Sequence, residues 1–315
     1  MARAHMGKTS RHDQSSPLLA REVGYVRKPH AGRLRVALAF PNTYWVGMSN
    51  LGFQTVYRLF NSLDDVVCER VFLPGRSELA TALERPGSLT TVESGTPVRD
   101  FDVFAFSVSF EWDYTNLVSL LRLAGLPHYA AERSARHPLV VVGGAVTFVN
   151  PEPLAPFADV IAAGEGEVLV PALDRDGLLG ALARERGFYV PSLVHVRYGE
   201  GGTIEAFEPA PGAGITLPVR KAALAASAGA DPPSTAIFTP DTEFGARLLV
   251  EVVRGCANLC RFCWAGYNYL PVRAFPADRI LQIAADARQH ADRVGLVSIA
   301  LCDHPEIERI LARLG

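Results

Sequence analysis

Cysteine, net charge and long apolar runs are all scarce in this chain. It has five cysteines among 315 residues and a formal net charge of −2. A nearly neutral chain has no bulk attraction to nucleic acid or to an anionic membrane surface. No apolar run reaches the ~18–20 residues of a membrane span, and residues 1–24 lack the apolar core of a secretory signal. We therefore expect a cytoplasmic protein with neither a membrane nor a nucleic-acid partner.

Three of the five cysteines nevertheless lie within residues 256–263, in the segment VEVVRGCANLCRFCWAGYNY. Cytoplasmic thiols stay reduced, so a cysteine cluster there is more typical of metal binding than of disulfides. The question is which metal centre needs three thiols and no fourth.

Strand and helix patterns alternate over the first part of the chain, which predicts a parallel sheet with helices on both faces. A helix over 49–63 is expected to have Ser49 as its N-cap, and a helix over 114–125 is expected to end at Gly125. The predicted strands cover 34–40, 66–73, 101–110, 138–144 and 158–167, and residues 168–187 add helical material.

The later part of the chain begins with a predicted hairpin that turns on Gly199–Gly202 and continues as a linker rich in Pro, Gly and Ala. A second β/α pattern follows, with strands over 247–254 and 294–301 and a helix over 277–290. The predicted organisation is a mobile tail (1–33), an α/β domain (34–187), the hairpin and linker (188–245) and a second β/α unit (246–315).

The spacing of Cys256, Cys260 and Cys263 is C-x3-C-x2-C, directly after a predicted strand. Thiolates are the ligands of iron–sulfur clusters, and a four-iron cube offers four metal corners. Three cysteines leave one corner open, and an open iron is Lewis acidic and can chelate a small ligand. A cluster that only carries electrons normally has protein ligands at all four corners.

Two other interpretations of the cysteines stay open at this point. Structural zinc needs four ligands, usually as two separated pairs, and the later candidates His290, Cys302 and His304 do not have finger-like spacing. Chance clustering of core thiols is the second alternative. Cys302 itself is expected to be a buried small residue near a strand end.

The segment RGCANLCRFCWAG resembles the cluster loop of the radical S-adenosylmethionine superfamily. The resemblance implies a [4Fe–4S] cluster on Cys256, Cys260 and Cys263, with S-adenosylmethionine on the open iron. One electron would cleave the sulfonium bond and release a 5′-deoxyadenosyl radical. It also implies a small-molecule or unknown substrate and an electron donor such as a flavodoxin or ferredoxin.

The same resemblance suggests contacts for S-adenosylmethionine. Phe262 matches the aromatic position that lies against the adenine. The stretch SIALCDHPE has no Gly-Gly-Glu, so Ser298 and Asp303 are candidates by position only. No catalytic residue is assigned.

The loops that follow the strands of the first unit are expected to form a ligand cleft, because ligands bind outside the carboxyl ends of parallel strands. Their order resembles that of cobalamin-binding domains, with Asn42-x-Tyr44-x-x-Gly47 in place of Asp-x-His-x-x-Gly. Tyr44 is a poor substitute for imidazole, so a bound corrinoid would have no histidine below its cobalt. The alternative is a domain that kept the fold and lost the cofactor. The candidate cleft residues are Asn42, Tyr44, Gly47, Ser49, Ser107, Ser109, Gly143, Gly144, Gly164 and Gly166.

Together, the two units resemble radical S-adenosylmethionine proteins that have an N-terminal cobalamin-binding-type domain. The expected fold is a Rossmann- or flavodoxin-like doubly wound sheet followed by the first β/α units of a partial (β/α)6 barrel. Only residues 264–315 follow the last cluster cysteine, so we expect a fragment, a truncated product or half of a split protein whose barrel a second chain completes. The corrinoid-linked relatives suggest methyl transfer or a ring rearrangement. The alternatives are a non-catalytic corrinoid- or nucleotide-binding module and an iron–sulfur electron carrier.

Overall fold

The computed structural model describes residues 16–173, 182–225 and 229–315. Its strands are β1 (Leu34–Phe40), β2 (Val66–Phe72), β3 (Val103–Ser107), β4 (Leu139–Gly143), β5 (Val160–Ala162), β6 (Phe188–Tyr189), β7 (Val194–Tyr198), β8 (Ile204–Pro209), β9 (Leu248–Arg254), β10 (Arg273–Ala274) and β11 (Val294–Ser298). Its α-helices are α1 (Tyr44–Met48), α2 (Leu51–Ser62), α3 (Arg76–Leu83), α4 (Tyr114–Ala124), α5 (Gly166–Leu169), α6 (Trp264–Asn268), α7 (Ala277–Asp286) and α8 (Ile307–Leu314). Within these ranges, no helix combines the length and the apolar character that crossing a membrane requires.

The first unit is built on a six-stranded sheet with the order β2-β1-β3-β4-β5-β6. The first five strands are parallel, and β6 pairs antiparallel with β5. Such strands are covered on both faces, which explains why their sequences are nearly continuous apolar runs. The prediction of an α/β doubly wound sheet is confirmed. Because the chain passes from β2 back across β1 to β3, the strand order reverses between β1 and β3, where parallel sheets bind ligands.

Helices cover the two faces of this sheet with regularly spaced apolar side chains. Helix α2 buries Phe53, Tyr57 and Phe60 on one face, and α4 buries Leu117 and Leu120 on the other. Spacings of three and four residues place such side chains on one stripe of a helix. These two stripes account for the two apolar cores of the first unit.

The structure confirms one predicted helix end and corrects another. Gly125 closes α4 in the left-handed conformation, with φ of 72°, as predicted. The N-cap of α2 is Asn50, whose side chain accepts a hydrogen bond from the Phe53 amide at 2.9 Å. The expectation of Ser49 at this position is wrong by one residue, because α1 occupies 44–48 and Ser49 closes that helix instead.

The second unit is a three-stranded sheet with the order β10-β9-β11. Strands β9 and β11 are parallel, and α7 and α8 cover one face through Val250, Val252, Ile280 and Ile310. The predicted strands and helix are present, although the regular helix stops at Asp286 and continues as a 3-10 turn. The unit therefore contains two successive β/α steps.

The segments outside the two units pack against them. The predicted hairpin forms as β7 and β8, and the linker is tied to α2, since Gln54 Oε1 accepts hydrogen bonds from the amides of Ala236 and Ile237. The predicted mobile tail differs from the structure over 16–33, because Val23 pairs with Phe238. Lys28 Nζ also donates to three carbonyls near the start of β2. Residues 1–15, and part of the predicted helical stretch 168–187, lie outside the described residues.

Candidate functional site

A cavity of about 440 Å³ lies at the carboxyl edge of the six-stranded sheet. Its size falls in the range of small-molecule pockets, and most of its wall consists of apolar side chains of the sheet, α2 and the segment after β5. Six of the ten predicted cleft residues line it: Ser107, Ser109, Gly143, Gly144, Gly164 and Gly166.

Two of these glycines are required by close backbone approach. Gly144 has φ of 105°, and a Cβ atom there would lie 2.3 Å from the Val108 carbonyl oxygen. A Cβ atom on Gly164 would lie 2.5 Å from the Ala222 carbonyl oxygen. Contacts this short do not occur, so larger residues at either position would displace the cavity wall.

The other four predicted cleft residues lie elsewhere. The Asn42 amide donates to Asp113 Oδ1 at 3.1 Å, and the Tyr44 hydroxyl donates to Glu22 Oε1 at 2.5 Å. A Cβ atom on Gly47 would collide with the Phe72 ring, and Ser49 Oγ accepts from the Glu243 amide. These residues are used in packing and loop contacts, so the motif match at Gly47 reflects close packing and not a cavity wall.

The opposite wall of the cavity comes from the second unit. Glu251, Arg254, Val297 and Ile299 all line it. Successive side chains of a strand point to opposite faces, so Glu251 faces away from Val250 and Val252, which pack under α7 and α8. The cavity therefore lies between the sheet edge of the first unit and the uncovered face of the second.

A cluster of charged side chains joins the two units beside this cavity. Arg254 contacts three carboxylates, those of Glu251 at 2.6 Å, Glu167 at 2.8 Å and Glu165 at 3.1 Å. Glu165 also receives both terminal nitrogens of Arg273, at 2.6 and 2.8 Å. This cluster was not expected from the sequence, where residues 164–167 stood out only for Gly164 and Gly166.

The protein environment shifts the pKa values of Glu251 and Glu165 in opposite directions. Burial raises the pKa of Glu251, although its contacts with Arg254 oppose that shift. For Glu165, burial also acts to raise the pKa, but the hydrogen bonds from Arg273 and the charge of Arg254 hold it below its ordinary value. Glu165 is therefore the fully ionised centre of the cluster near neutral pH.

The cysteine loop begins where β9 ends. Gly255 has φ of 92°, and a Cβ atom on it would lie 2.4 Å from the Tyr269 carbonyl oxygen. Cys256 is buried, Cys260 is exposed and Cys263 is half-buried at the start of α6. The Cys263 amide donates to the Cys260 carbonyl at 2.9 Å, which folds the loop back on itself.

The donor set of the loop is three thiols, and three thiolates on an iron–sulfur cube bind three different iron atoms. Within the described ranges, no three His, Cys, Asp or Glu side chains gather around one point that could hold a metal ion. The later candidate His304 is already satisfied, because Nε2 lies 2.8 Å from the Phe275 carbonyl and Nδ1 accepts from the Glu306 amide.

The residues predicted to contact S-adenosylmethionine lie outside the cavity wall. The Phe262 ring is 92% exposed between two of the cysteines. Ser298 ends β11, where the register with β9 shifts, and its Oγ accepts from the Ala300 amide. Asp303 is exposed. Cys302 is exposed as well, contrary to the expectation that it is buried, because it follows the end of β11 in an open 3-10 turn.

Aromatic contacts attach the end of the cysteine loop to the first unit. The Phe148 ring stacks on Trp264, with centroids 6.4 Å apart, and meets the edge of Tyr269 at 5.8 Å. Lys221 Nζ lies 4.8 Å from the Phe148 centroid and donates to the Asn268 carbonyl. Burial lowers the pKa of Lys221. Sequence patterns gave no signal for these contacts between distant segments.

The fold and site together define a class of protein: an α/β unit whose cavity adjoins a three-cysteine loop on a second β/α unit. Residues 52–191 match the family model described as "Radical SAM proteins, N-terminal". This match covers part of the first unit and ends before the cysteine loop. The first unit is therefore similar to the N-terminal region of radical S-adenosylmethionine proteins.

Similar proteins extend over most of this chain. An uncharacterised protein of Methanocaldococcus jannaschii is 24% identical over 277 residues, which are 86% of this chain and 50% of that protein. This chain thus spans about half the length of that curated relative.

Two solved structures also resemble it, both of the radical S-adenosylmethionine methyltransferase TsrM from Kitasatospora setae. The complex with tryptophan and a S-adenosylmethionine analogue has a TM-score of 0.45 and 13% identity. The complex with cobalamin and a [4Fe–4S] cluster has a TM-score of 0.47 and 14% identity. Each comparison covers 89% of this chain and 50% of TsrM.

Proposed function

We propose that Cys256, Cys260 and Cys263 hold a [4Fe–4S] cluster whose fourth iron binds S-adenosylmethionine. The observation that carries this proposal is a donor set of three thiols on one folded loop, in a chain whose N-terminal unit matches radical S-adenosylmethionine proteins. When bound, the cluster would supply the electron that cleaves the sulfonium and yields a 5′-deoxyadenosyl radical. The electron itself would come from a donor protein such as a flavodoxin or ferredoxin.

The residues around the cysteines support this role. Gly255 allows the chain to reverse direction directly before Cys256, because its φ of 92° is accessible only to glycine without strain. The Tyr267 hydroxyl donates to the Leu259 carbonyl at 2.8 Å and fixes the middle of the loop. The exposed Phe262 ring is free to lie against an adenine, and Ser298 and Asp303 stay candidates for the methionine group.

We also propose that the cavity binds a corrinoid or the substrate next to this cluster. The supporting observation is that one strand, β9, supplies both Arg254 in the cavity wall and the start of the cysteine loop. No histidine is found among the described residues that line the cavity, so a cobalt ion there would receive no imidazole from its wall. Methyl transfer to an unactivated carbon and ring rearrangement are the reactions proposed for such a pair of cofactors.

Reconstitution with iron and sulfide without oxygen tests the cluster. We expect ~4 irons per chain in the unchanged protein and loss of the cluster in Cys256→Ala, Cys260→Ala and Cys263→Ala. Cys302→Ala is the matched control, because this thiol is exposed on the same unit but lies outside the loop. Full iron content in Cys256→Ala, or one tetrahedral zinc in the purified protein, would contradict the proposal. Little iron in the unchanged protein would favour a non-catalytic binding module.

A further inference from the structure

Glu165 occupies an unusual place, because one carboxylate contacts both ends of the cysteine loop from the other unit. Arg254 and Arg273 are register partners in the antiparallel pair of β9 and β10. Residues 255–272, including all three cysteines, lie between these two arginines in the chain. The pairing of β9 with β10 therefore closes the cysteine loop at its base. Glu165 binds both arginines, at 3.1 Å and at 2.6 Å.

The contact matters because the two guanidinium groups face each other with little solvent. The Arg254 and Arg273 side chains are 11% and 5% exposed, and that of Glu165 is 3% exposed. Like charges directly opposite on paired strands repel each other, and burial strengthens that repulsion. Arg254 has two further carboxylates, Glu167 and Glu251. Among the described residues, Glu165 is the carboxylate that forms a salt bridge with Arg273.

The backbone of Glu165 is held by the linker, and Arg273 Nη1 also donates to the Leu224 carbonyl of this linker at 2.8 Å. Gly164 forms a bridge with Ala222, and the Glu165 amide donates to the Ala222 carbonyl at 2.9 Å. The Leu224 amide also donates to Glu165 Oε2 at 2.9 Å. The carboxylate is therefore presented by a fixed segment of the first unit, and it also lines the cavity.

We propose that Glu165 is a positioning residue that fixes the base of the cysteine loop through Arg273 and couples this loop to the cavity. Glu165, which closes the loop over 255–272, also lines the cavity. Any rearrangement of Glu165 on ligand binding would change the order of the loop that carries the cysteines. The consequence for the cluster rests on the proposed function, whereas the effect on the loop does not.

Hydrogen exchange in the metal-free chain of 315 residues tests the positioning of the loop without a cluster. In Glu165→Gln, which keeps the shape but removes the charge, we expect amide exchange of 255–272 to rise about tenfold. Glu167→Gln is the matched control, because Arg254 keeps Glu165 and Glu251 in that variant. We expect its exchange to stay well below that of Glu165→Gln, because Arg254 retains two carboxylates and the contact of Arg273 is unchanged. Unchanged exchange of 255–272 in Glu165→Gln, with β1–β4 protected as before, would overturn the proposal.

A double-mutant cycle identifies the route. If Glu165 acts through Arg273, then Arg273→Gln alone raises exchange of the loop, and adding Glu165→Gln to it raises exchange by less than about twofold. Arg273→Gln removes the same salt bridge, together with the hydrogen bonds from Arg273 to the Pro271 and Leu224 carbonyls. It is the variant measured if Glu165→Gln does not fold. Independent, multiplying effects of the two substitutions would contradict the proposal.

Iron content after reconstitution gives the second readout. We expect Glu165→Gln to retain less iron than the unchanged protein, and Glu167→Gln to match it. If the unchanged protein binds no iron, the proposed function fails, while the exchange of the metal-free loop still decides whether Glu165 positions it. Wild-type iron content in Glu165→Gln together with a more mobile loop would overturn the claim that positioning serves the cluster.

Discussion

At the scale of single residues, glycine fixes where the backbone can turn beside the two proposed cofactor sites. Gly255 and Gly144 have left-handed φ values and would each place a Cβ atom within 2.5 Å of a carbonyl oxygen. Gly47 shows the opposite case, since it satisfies a cobalamin-type motif in the sequence but packs against Phe72. A short motif specifies only a residue type. Glycine is required both where φ is positive and where neighbouring atoms leave no room for a Cβ atom.

Substituting Gly255 tests whether the backbone at the start of the cysteine loop requires glycine. Gly255→Ala combines a strained φ with a collision against the Tyr269 carbonyl, and we expect it to lower the free energy of unfolding by about 1–3 kcal/mol. Denaturant titration followed by tryptophan fluorescence measures this loss.

Gly266→Ala is the control for Gly255→Ala, because it lies in α6 of the same loop and its Cβ atom would meet nothing closer than 3.8 Å. Replacing a glycine inside a helix by alanine raises the free energy of unfolding by about 0.5–1 kcal/mol. This variant should therefore be no less stable than the unchanged protein. Equal losses in the two variants would show that the geometry at Gly255 is not the cause.

At the scale of elements, local pattern was enough for most strands and helices, and it failed where contacts come from distant segments. Apolar runs and a helical stripe predicted β1 to β4, α2 and α7, because each is set by neighbours along the chain. Ser49 was misplaced as a cap because α1, a five-residue helix, has too little pattern to detect. Half-buried segments such as 16–33 owe their order to partners far away, and no local pattern encodes these.

The cavity between these elements can be closed by one substitution. Gly143 ends β4 in the cavity wall, has no left-handed φ, and would place a Cβ atom 3.6 Å or more from its neighbours. Gly143→Val should therefore fold and put its methyl groups into the cavity. We expect its affinity for cobalamin, measured by equilibrium dialysis, to fall at least about tenfold.

Gly75→Val is the companion variant, since Gly75 has no atoms within 4 Å of its Cβ position and lies outside the cavity wall. It should bind cobalamin as the unchanged protein does. If Gly143→Val binds cobalamin with undiminished affinity, the corrinoid does not occupy this cavity.

At the scale of the whole molecule, the two units meet through charged and aromatic contacts. The two proposed cofactor sites are neighbours, because strand β9 supplies Arg254 to the cavity wall and leads into the cysteine loop. Glu165 and Arg273 are 108 positions apart in the chain, which is why sequence periodicity could not pair them. The sequence alone predicted the donor set of the proposed cluster, because thiol spacing is a local property. It could not identify the charged cluster around Arg254, which exists only once β9 lies against the segment after β5.

Mössbauer spectroscopy of the ⁵⁷Fe-reconstituted chain shows whether one iron atom lacks a protein ligand, as we propose for the cluster on Cys256, Cys260 and Cys263. Spectra are compared with and without S-adenosylmethionine, with Cys302→Ala alongside. We expect S-adenosylmethionine to shift the signal of one iron in four and to leave the other three unchanged, in both proteins. Four irons that do not respond to S-adenosylmethionine would contradict it and would indicate an electron-carrying cluster instead.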